Sequence, residues 1–253
     1  MASGKHAAGR PTVTVIVPCF NEEAALPSLI ERLSALTGDR GWQVLFVDDG
    51  SRDNSAAILE AAATRHPWLS LVRHSRNLGL GAALRTGLAA ATAPIVCTMD
   101  SDCTYPPERL PELVEAIAGG ADIATASPWH PDNRSADGSR WRIAMSRGAS
   151  TAYRFLTGSR LYTYTALFRA YRGDIVRGIP FRSDGFSAVC EILVKAIIEG
   201  RRVREIPMPL RNRTQGVSKM NTGSAIRGHL RLLALTAFWV STARAGSHLG
   251  LRR

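Results

Sequence analysis

Asp100 and Asp102, in the run MDSD, are two carboxylates one residue apart at the end of a strand-like stretch, residues 95–99. Side chains alternate along an extended chain, so the two acids are expected to point the same way. Like charges placed so repel unless a cation lies between them. A hard divalent cation such as Mg²⁺ or Mn²⁺ suits oxygen ligands and bridges readily to a diphosphate. The same residues also suit a capped turn. Pro106, Pro107 and Glu108 follow and open a helix, with proline in its first turn and an acid at its positive end. From this stretch alone both readings stand.

Stepping outward, the spacing predicts the elements that must carry these acids. Residues 13–17, 44–47, 69–72, 95–99 and 122–126 read as strands. Helices are predicted from Asn21 to Leu36, after Asp53 and Asn54, over 79–91 and over 112–118. This alternation predicts an α/β fold with a doubly wound, Rossmann-like mixed sheet, whose ligands bind at the carboxyl ends of the strands. Three such ends carry acids: Glu22, then Asp48 and Asp49, then Asp100 and Asp102. Beyond them, residues 128–140 read as a polar loop, 141–156 as a helix, 162–171 as a strand, 187–198 as an apolar helix and 203–208 as a strand. Residues 211–219 (RNRTQGVSK) read as a basic loop.

The chain has 253 residues, 45% of them hydrophobic, enough for one large domain with an appendage. The divisions expected are a disordered tail over 1–11, a main folded domain over 12–221 and a helical extension over 222–253. The net charge is +11, and residues 201–253 hold +10 of it. Charge so localised argues against a nucleic-acid coat and for a phosphate, diphosphate or anionic membrane surface near the C-terminus. The first residues lack an apolar core, so no signal peptide is expected. No window of about 18 uncharged apolar residues exists, so no membrane span is expected either. Residues 232–240, with Ile226 and Leu230, suit an interfacial helix with Arg227, His229 and Arg231 on its polar side. They also suit a helix packed on the domain. The four cysteines form no CxxC pair, and reduced buried thiols are expected.

Several chemistries are excluded. Gly79 and Gly81 begin a glycine-rich run, but its sixth position is Leu84 and it follows the third strand, so a dinucleotide fingerprint fits poorly. There is no Walker A sequence, no GxSxG elbow and no metal spacing among the six histidines. Acids along one rim, with basic residues supplied later in the chain, fit a nucleoside diphosphate compound.

The segments IVPCFNEE (16–23), VDDGSRDNS (47–55), RNLGLGAALRTG (76–87), MDSD (99–102) and RNRTQGVSKM (211–220) resemble, in order, those of family 2 glycosyltransferases. Among these the chain resembles the polyprenol (dolichol) phosphate mannosyltransferase group. The resemblance implies a GT-A fold and a nucleoside diphosphate sugar donor of GDP-mannose or UDP-sugar type. It also implies Mg²⁺ or Mn²⁺, inversion at the anomeric carbon and a polyprenyl phosphate lipid acceptor. The expected location is cytoplasmic, peripheral at the inner face of the membrane. Pro18, Phe20, Glu22, Val47 and Asp49 are implied to line the nucleotide. Asp100, Ser101 and Asp102 match the acidic motif, with Asp102 the chief metal ligand. Arg213 and Lys219 match the phosphate-gripping residues, and Arg142, with Arg140 as alternative, is implied to reach the acceptor phosphate.

This chain departs from the family pattern in places. Phe20 stands where tyrosine is common. Thr104 stands where a glutamine can complete the metal shell, with a water serving in its place. Ser127-Pro128-Trp129 stands where Gly-Ser-Arg is common. Arg169 is read either as orienting a phosphate or as half of a buried ion pair. A phosphate acceptor is already anionic and needs orientation, not a base. A hydroxyl acceptor needs a base, for which Asp184 is the candidate; a turn or helix-cap role is its alternative. Two other functions remain open: a soluble transferase acting on a hydroxyl of a natural product or polysaccharide, and a non-catalytic nucleotide-binding partner subunit.

Overall fold

The first strand, β1 (Val13–Cys19), is apolar on both sides. Val13, Val15 and Val17 enter one core and Ile16 the other. Such a strand must be covered on both faces. The computed structural model describes residues 11–38, 40–133, 137, 139–211 and 222–248, with side chains to 243. Six further strands are β2 (Trp42–Asp48), β3 (Leu69–Arg73), β4 (Ile95–Thr98), β5 (Ile123–Ser127), β6 (Arg169–Arg172) and β7 (Val203–Pro207). They form one sheet in the order β3-β2-β1-β4-β6-β5-β7. The strands β1 to β4 are parallel, β6 is antiparallel to β4 and β5, and β7 is parallel to β5.

Helices α1 (Leu26–Thr37), α2 (Ser55–Arg65) and α4 (Leu110–Ala118) cover one face. The other is covered by α3 (Leu80–Ala90), α6 (Gly173–Gly178) and α7 (Ser187–Ile198). Against α7 lie α5 (Arg140–Thr157) and the long α8 (Thr222–His248), which also touch each other. The mixed α/β sheet expected from the alternation is present, and the parallel strands β2, β1 and β4 stand side by side. Their carboxyl ends therefore share one rim, and that adjacency gathers the acids.

Three local expectations are corrected. The first helix begins at Leu26, not Asn21. The backbone N–H groups of Asn21, Glu22 and Glu23 donate instead to Ser51 Oγ, Ser55 Oγ and Asp53 Oδ2. These bonds lace the β1–α1 loop to the β2–α2 loop, with Asn21 held at φ 54°. Residues 162–168 are not strand. Tyr162 and Thr163 N–H donate to the Glu205 carboxylate and Tyr164 N–H to Ser150 Oγ, so side chains take the bonds a ladder would use. The third correction is α6, which the apolar spacing did not predict.

Candidate active site

A cavity of about 1570 Å³ opens along the acidic rim. It is lined by Pro18, Phe20, Glu22, Asp49, Asp100, Ser101, Asp102, Thr104 and Arg142. Among the residues expected to line the nucleotide, Val47 is the exception. It is fully enclosed in the core beside Ile16 and Leu84, so its side chain offers a ligand no surface. Arg140 is exposed but does not line the cavity. Arg213 and Lys219 lie outside the described residues. The preceding residue with a described place, Arg211, donates its N–H to the Thr104 carbonyl at 3.2 Å. The chain that carries the basic loop therefore leaves directly from the acidic turn.

That turn is not strand. β4 ends at Thr98, so the alternation expected to align Asp100 and Asp102 does not extend to them. They meet the same cavity because the chain turns sharply, with Cys103 at φ 56°. A non-glycine residue in that region costs roughly 1–3 kcal/mol and is held by its surroundings. Here Asp102 Oδ1 accepts from Thr104 N–H at 2.9 Å and from Thr104 Oγ1 at 2.6 Å. Thr104 thus orients the Asp102 carboxylate and directs its hydroxyl proton to it.

The two acids after β2 differ in role. Asp48 is fully buried, accepting from Ser51 N–H and from Arg73, and does not reach the cavity. Asp49 borders the cavity and accepts from the N–H groups of Leu78 and Gly79 at the start of α3. The glycines there serve loop packing, not a dinucleotide. A Cβ on Gly79 or Gly81 would collide with the Asp184 or Ser183 carbonyl, at 2.4 and 1.9 Å.

Glu191 and Lys195 were missed from sequence. Their signal was an acid with a lysine four residues later in an otherwise apolar helix. The buried Glu191 carboxylate accepts from the backbone of Arg182 and Ser183 and from Lys195 Nζ at 2.7 Å. Burial opposes its ionisation, but the bonds from Lys195 and Ser183 outweigh it and hold the carboxyl below its usual range. Lys195 also donates to the Pro180 carbonyl and lies 4.6 Å from the Trp239 ring centroid. Loop 180–186 is thereby tied to α7 and α8. On that loop, Asp184 is exposed and paired with Arg85.

The cavity is also lined by apolar side chains of α5 and α8, Trp141, Met145, Ile226, Leu232, Leu235 and Trp239, with His229 and Arg231 among them. The polar side expected for α8 is corrected in part. His229 faces inward, with its ring bonded to Tyr153 Oη at 3.1 Å, and burial pulls its pKa down. The outward face shows Leu230 and Phe238, each 62% exposed. Among the described residues, no helix is long and apolar enough to cross a membrane. All four cysteines are free thiols. Burial raises their pKa values, with Cys190 pushed up to about 12.

The architecture is that of solved GT-A enzymes. Glucosyl-3-phosphoglycerate synthase from Mycobacterium tuberculosis, solved with Mn²⁺ and UDP-glucose, superposes with a TM-score of 0.70. At 20% identity, over 92% of this chain and 80% of that one, the likeness defines the fold alone. Residues 14–179 match the family model described as glycosyl transferase family 2, and the chain belongs to that family. It is 34% identical to polyprenol monophosphomannose synthase of Mycolicibacterium smegmatis over 86% of this chain and 84% of that one. It is 38% identical to undecaprenyl-phosphate 4-deoxy-4-formamido-L-arabinose transferase of Pseudomonas paraeruginosa over 72% of this chain. The match spans only 56% of that relative's length.

Proposed function

We propose that the chain transfers a sugar from a nucleoside diphosphate sugar to a polyprenyl phosphate while lying against an anionic membrane surface. One observation carries this reading: one cavity is lined both by the acids of the rim and by apolar side chains of α8, beside exposed Leu230 and Phe238. A donor headgroup fits beside the acids and a prenyl chain beside the apolar side chains. The relatives named above and the C-terminal positive charge point the same way.

In this reading Glu22, Asp49, Asp100 and Ser101 hold the nucleoside side, with Phe20 stacking and Pro18 shaping the wall. Arg142 orients the acceptor phosphate, and Arg213 and Lys219 grip phosphate oxygens. The residues fit a hard divalent cation. Asp102, pinned by Thr104, and Asp100 beside it offer carboxylate oxygens at the cavity wall. No group of three or more His, Cys, Asp or Glu placed to hold a metal is found among the described residues; diphosphate oxygens and water would complete the shell. When bound, Mg²⁺ or Mn²⁺ offsets charge on the departing diphosphate.

Thermal unfolding with UDP, GDP and their sugars, each with and without Mn²⁺, tests the donor half. At a hundredfold excess over Kd a ligand adds about 2.7 kcal/mol, or roughly 5–10 °C for a chain of this size. No shift with any of them sinks the reading. The acceptor half has its own test. Asp184→Asn is expected to keep turnover with a polyprenyl phosphate within about threefold, because an anionic acceptor needs no base. Arg142→Ala is expected to raise the acceptor KM by about tenfold or more. The opposite pattern favours the hydroxyl acceptor.

A further inference from the structure

The donor-side carboxylate is surrounded by the protein on nearly every side. An ionised carboxylate has about four acceptor positions, two on each oxygen. On Asp49, Oδ1 takes the Leu78 N–H at 2.9 Å and lies 2.7 Å from His74 Nδ1. Oδ2 takes the Gly79 N–H at 2.8 Å. One position on Oδ2 is left unused among the described residues, on a residue that borders the cavity. The side chains of Asp49 and His74 are only 5% and 9% exposed.

His74 is held from behind. Its Nε2 lies 2.9 Å from Thr86 Oγ1 on α3, and its own N–H donates to the Asp48 carbonyl. A carboxylate oxygen only accepts, so Nδ1 carries the proton toward Asp49, while Nε2 pairs with the Thr86 hydroxyl. Both ring nitrogens are thereby committed. The ring cannot rotate without losing two buried hydrogen bonds.

We propose that His74, fixed by Thr86, is a positioning residue for donor recognition. It occupies Asp49 Oδ1 and leaves Oδ2 as the single acceptor for an N–H or O–H group of the nucleoside. The inference rests on the donor reading above and deepens it. A ligand group that fits there is a donor, such as a base imide or amine, or a ribose hydroxyl. The diphosphate lies outside this contact. A loop staple with no recognition role would weaken the whole fold, not one half of one ligand.

The test compares His74→Leu, which removes the ring donor, with His74→Asn, whose side-chain amide donates from nearly the same place as Nδ1. Titration calorimetry with Mn²⁺ measures Kd for UDP, for GDP and for inorganic pyrophosphate, which has no nucleoside. In His74→Leu the Kd for the tighter-bound nucleoside diphosphate is expected to rise about tenfold or more, with the donor KM following. Pyrophosphate binding, acceptor KM and kcat at saturating donor stay within about threefold of wild type, and His74→Asn recovers nucleotide affinity to within about threefold. Should His74→Leu not fold, Thr86→Val, which frees the ring while conserving volume, serves instead, with a smaller loss in the same direction. A folded His74→Leu with wild-type nucleotide affinity overturns the proposal, as does equal loss of pyrophosphate and nucleotide. Wild-type protein that binds no nucleoside diphosphate overturns the donor reading itself, before any variant is made.

Discussion

Asp102→Asn is expected to lower kcat/KM for sugar transfer by about a thousandfold or more, while leaving the fold intact. The amide has the same shape, and its oxygen still accepts from Thr104 N–H and Oγ1, so the turn through Cys103 keeps its bonds. What is lost is one negative charge at the cavity wall. A neutral amide is a poor ligand for a hard cation, so Mn²⁺-dependent strengthening of nucleoside diphosphate binding disappears with the activity. Two measurements check this together: calorimetric binding of UDP or GDP with and without Mn²⁺, and thermal unfolding of the unliganded variant. Metal-dependent binding that survives in Asp102→Asn would remove Asp102 from the role assigned to it. Asp100→Asn is expected to cost less, because in the proposed reading Asp100 supports the nucleotide side. Thr104→Val removes the hydroxyl bond to Asp102 while the backbone N–H bond stays, and is expected to weaken metal-dependent binding by up to about tenfold.

Periodicity made the sheet legible, and the acids at strand ends made the rim legible. Runs such as residues 13–17 and 44–47 can be nothing but buried strand, and parallel strands place their carboxyl ends together whatever the loops do. What failed depended on partners distant in sequence. Asn21 looks like a helix start because the residues after it are helical. Its backbone is captured by Ser51, about 30 positions away. Residues 162–168 have the composition of a strand, but Glu205 and Ser150 take their N–H groups. Within the cavity, Asp49 stands out in the sequence by its motif, while His74 carries no motif. Its relevance appears only once β3 and α3 bring it and Thr86 behind the carboxylate. Val47 was assigned with its neighbours, yet alternation along β2 turns its side chain into the core. His229 reads as polar surface because arginines flank it two residues away on either side. The pitch of α8 instead carries it inward, toward Tyr153.

Arg169→Ala is expected to lower the stability of the fold by about 4 kcal/mol or more, and to shift the unfolding midpoint by roughly 10 °C. The side chain is the largest of those fully buried, at 0% exposure. Neither role read from sequence holds for it. It does not line the cavity, so it cannot orient a phosphate, and its described partners include no carboxylate. Its Nε donates to Thr125 Oγ1 at 3.1 Å, and its two terminal nitrogens donate to the carbonyls of Val189 and Tyr164 at 2.6 Å each. The guanidinium is always charged, so burying it is tolerable only because these oxygens replace water. Truncation removes all three bonds and opens a void between β5, β6 and α7. Arg169→Met fills much of the void but restores none of the three bonds, so it is expected to fall between wild type and alanine. Arg169→Lys keeps the charge, yet a single ammonium cannot span three acceptors set around a planar fork, and it too is expected to lose stability. Urea unfolding of the three variants checks the order, and a wild-type midpoint in Arg169→Ala would refute the account. Because the residue stands behind the cavity floor and not in it, variants that fold are expected to keep donor and acceptor KM within about threefold under conditions where they remain native.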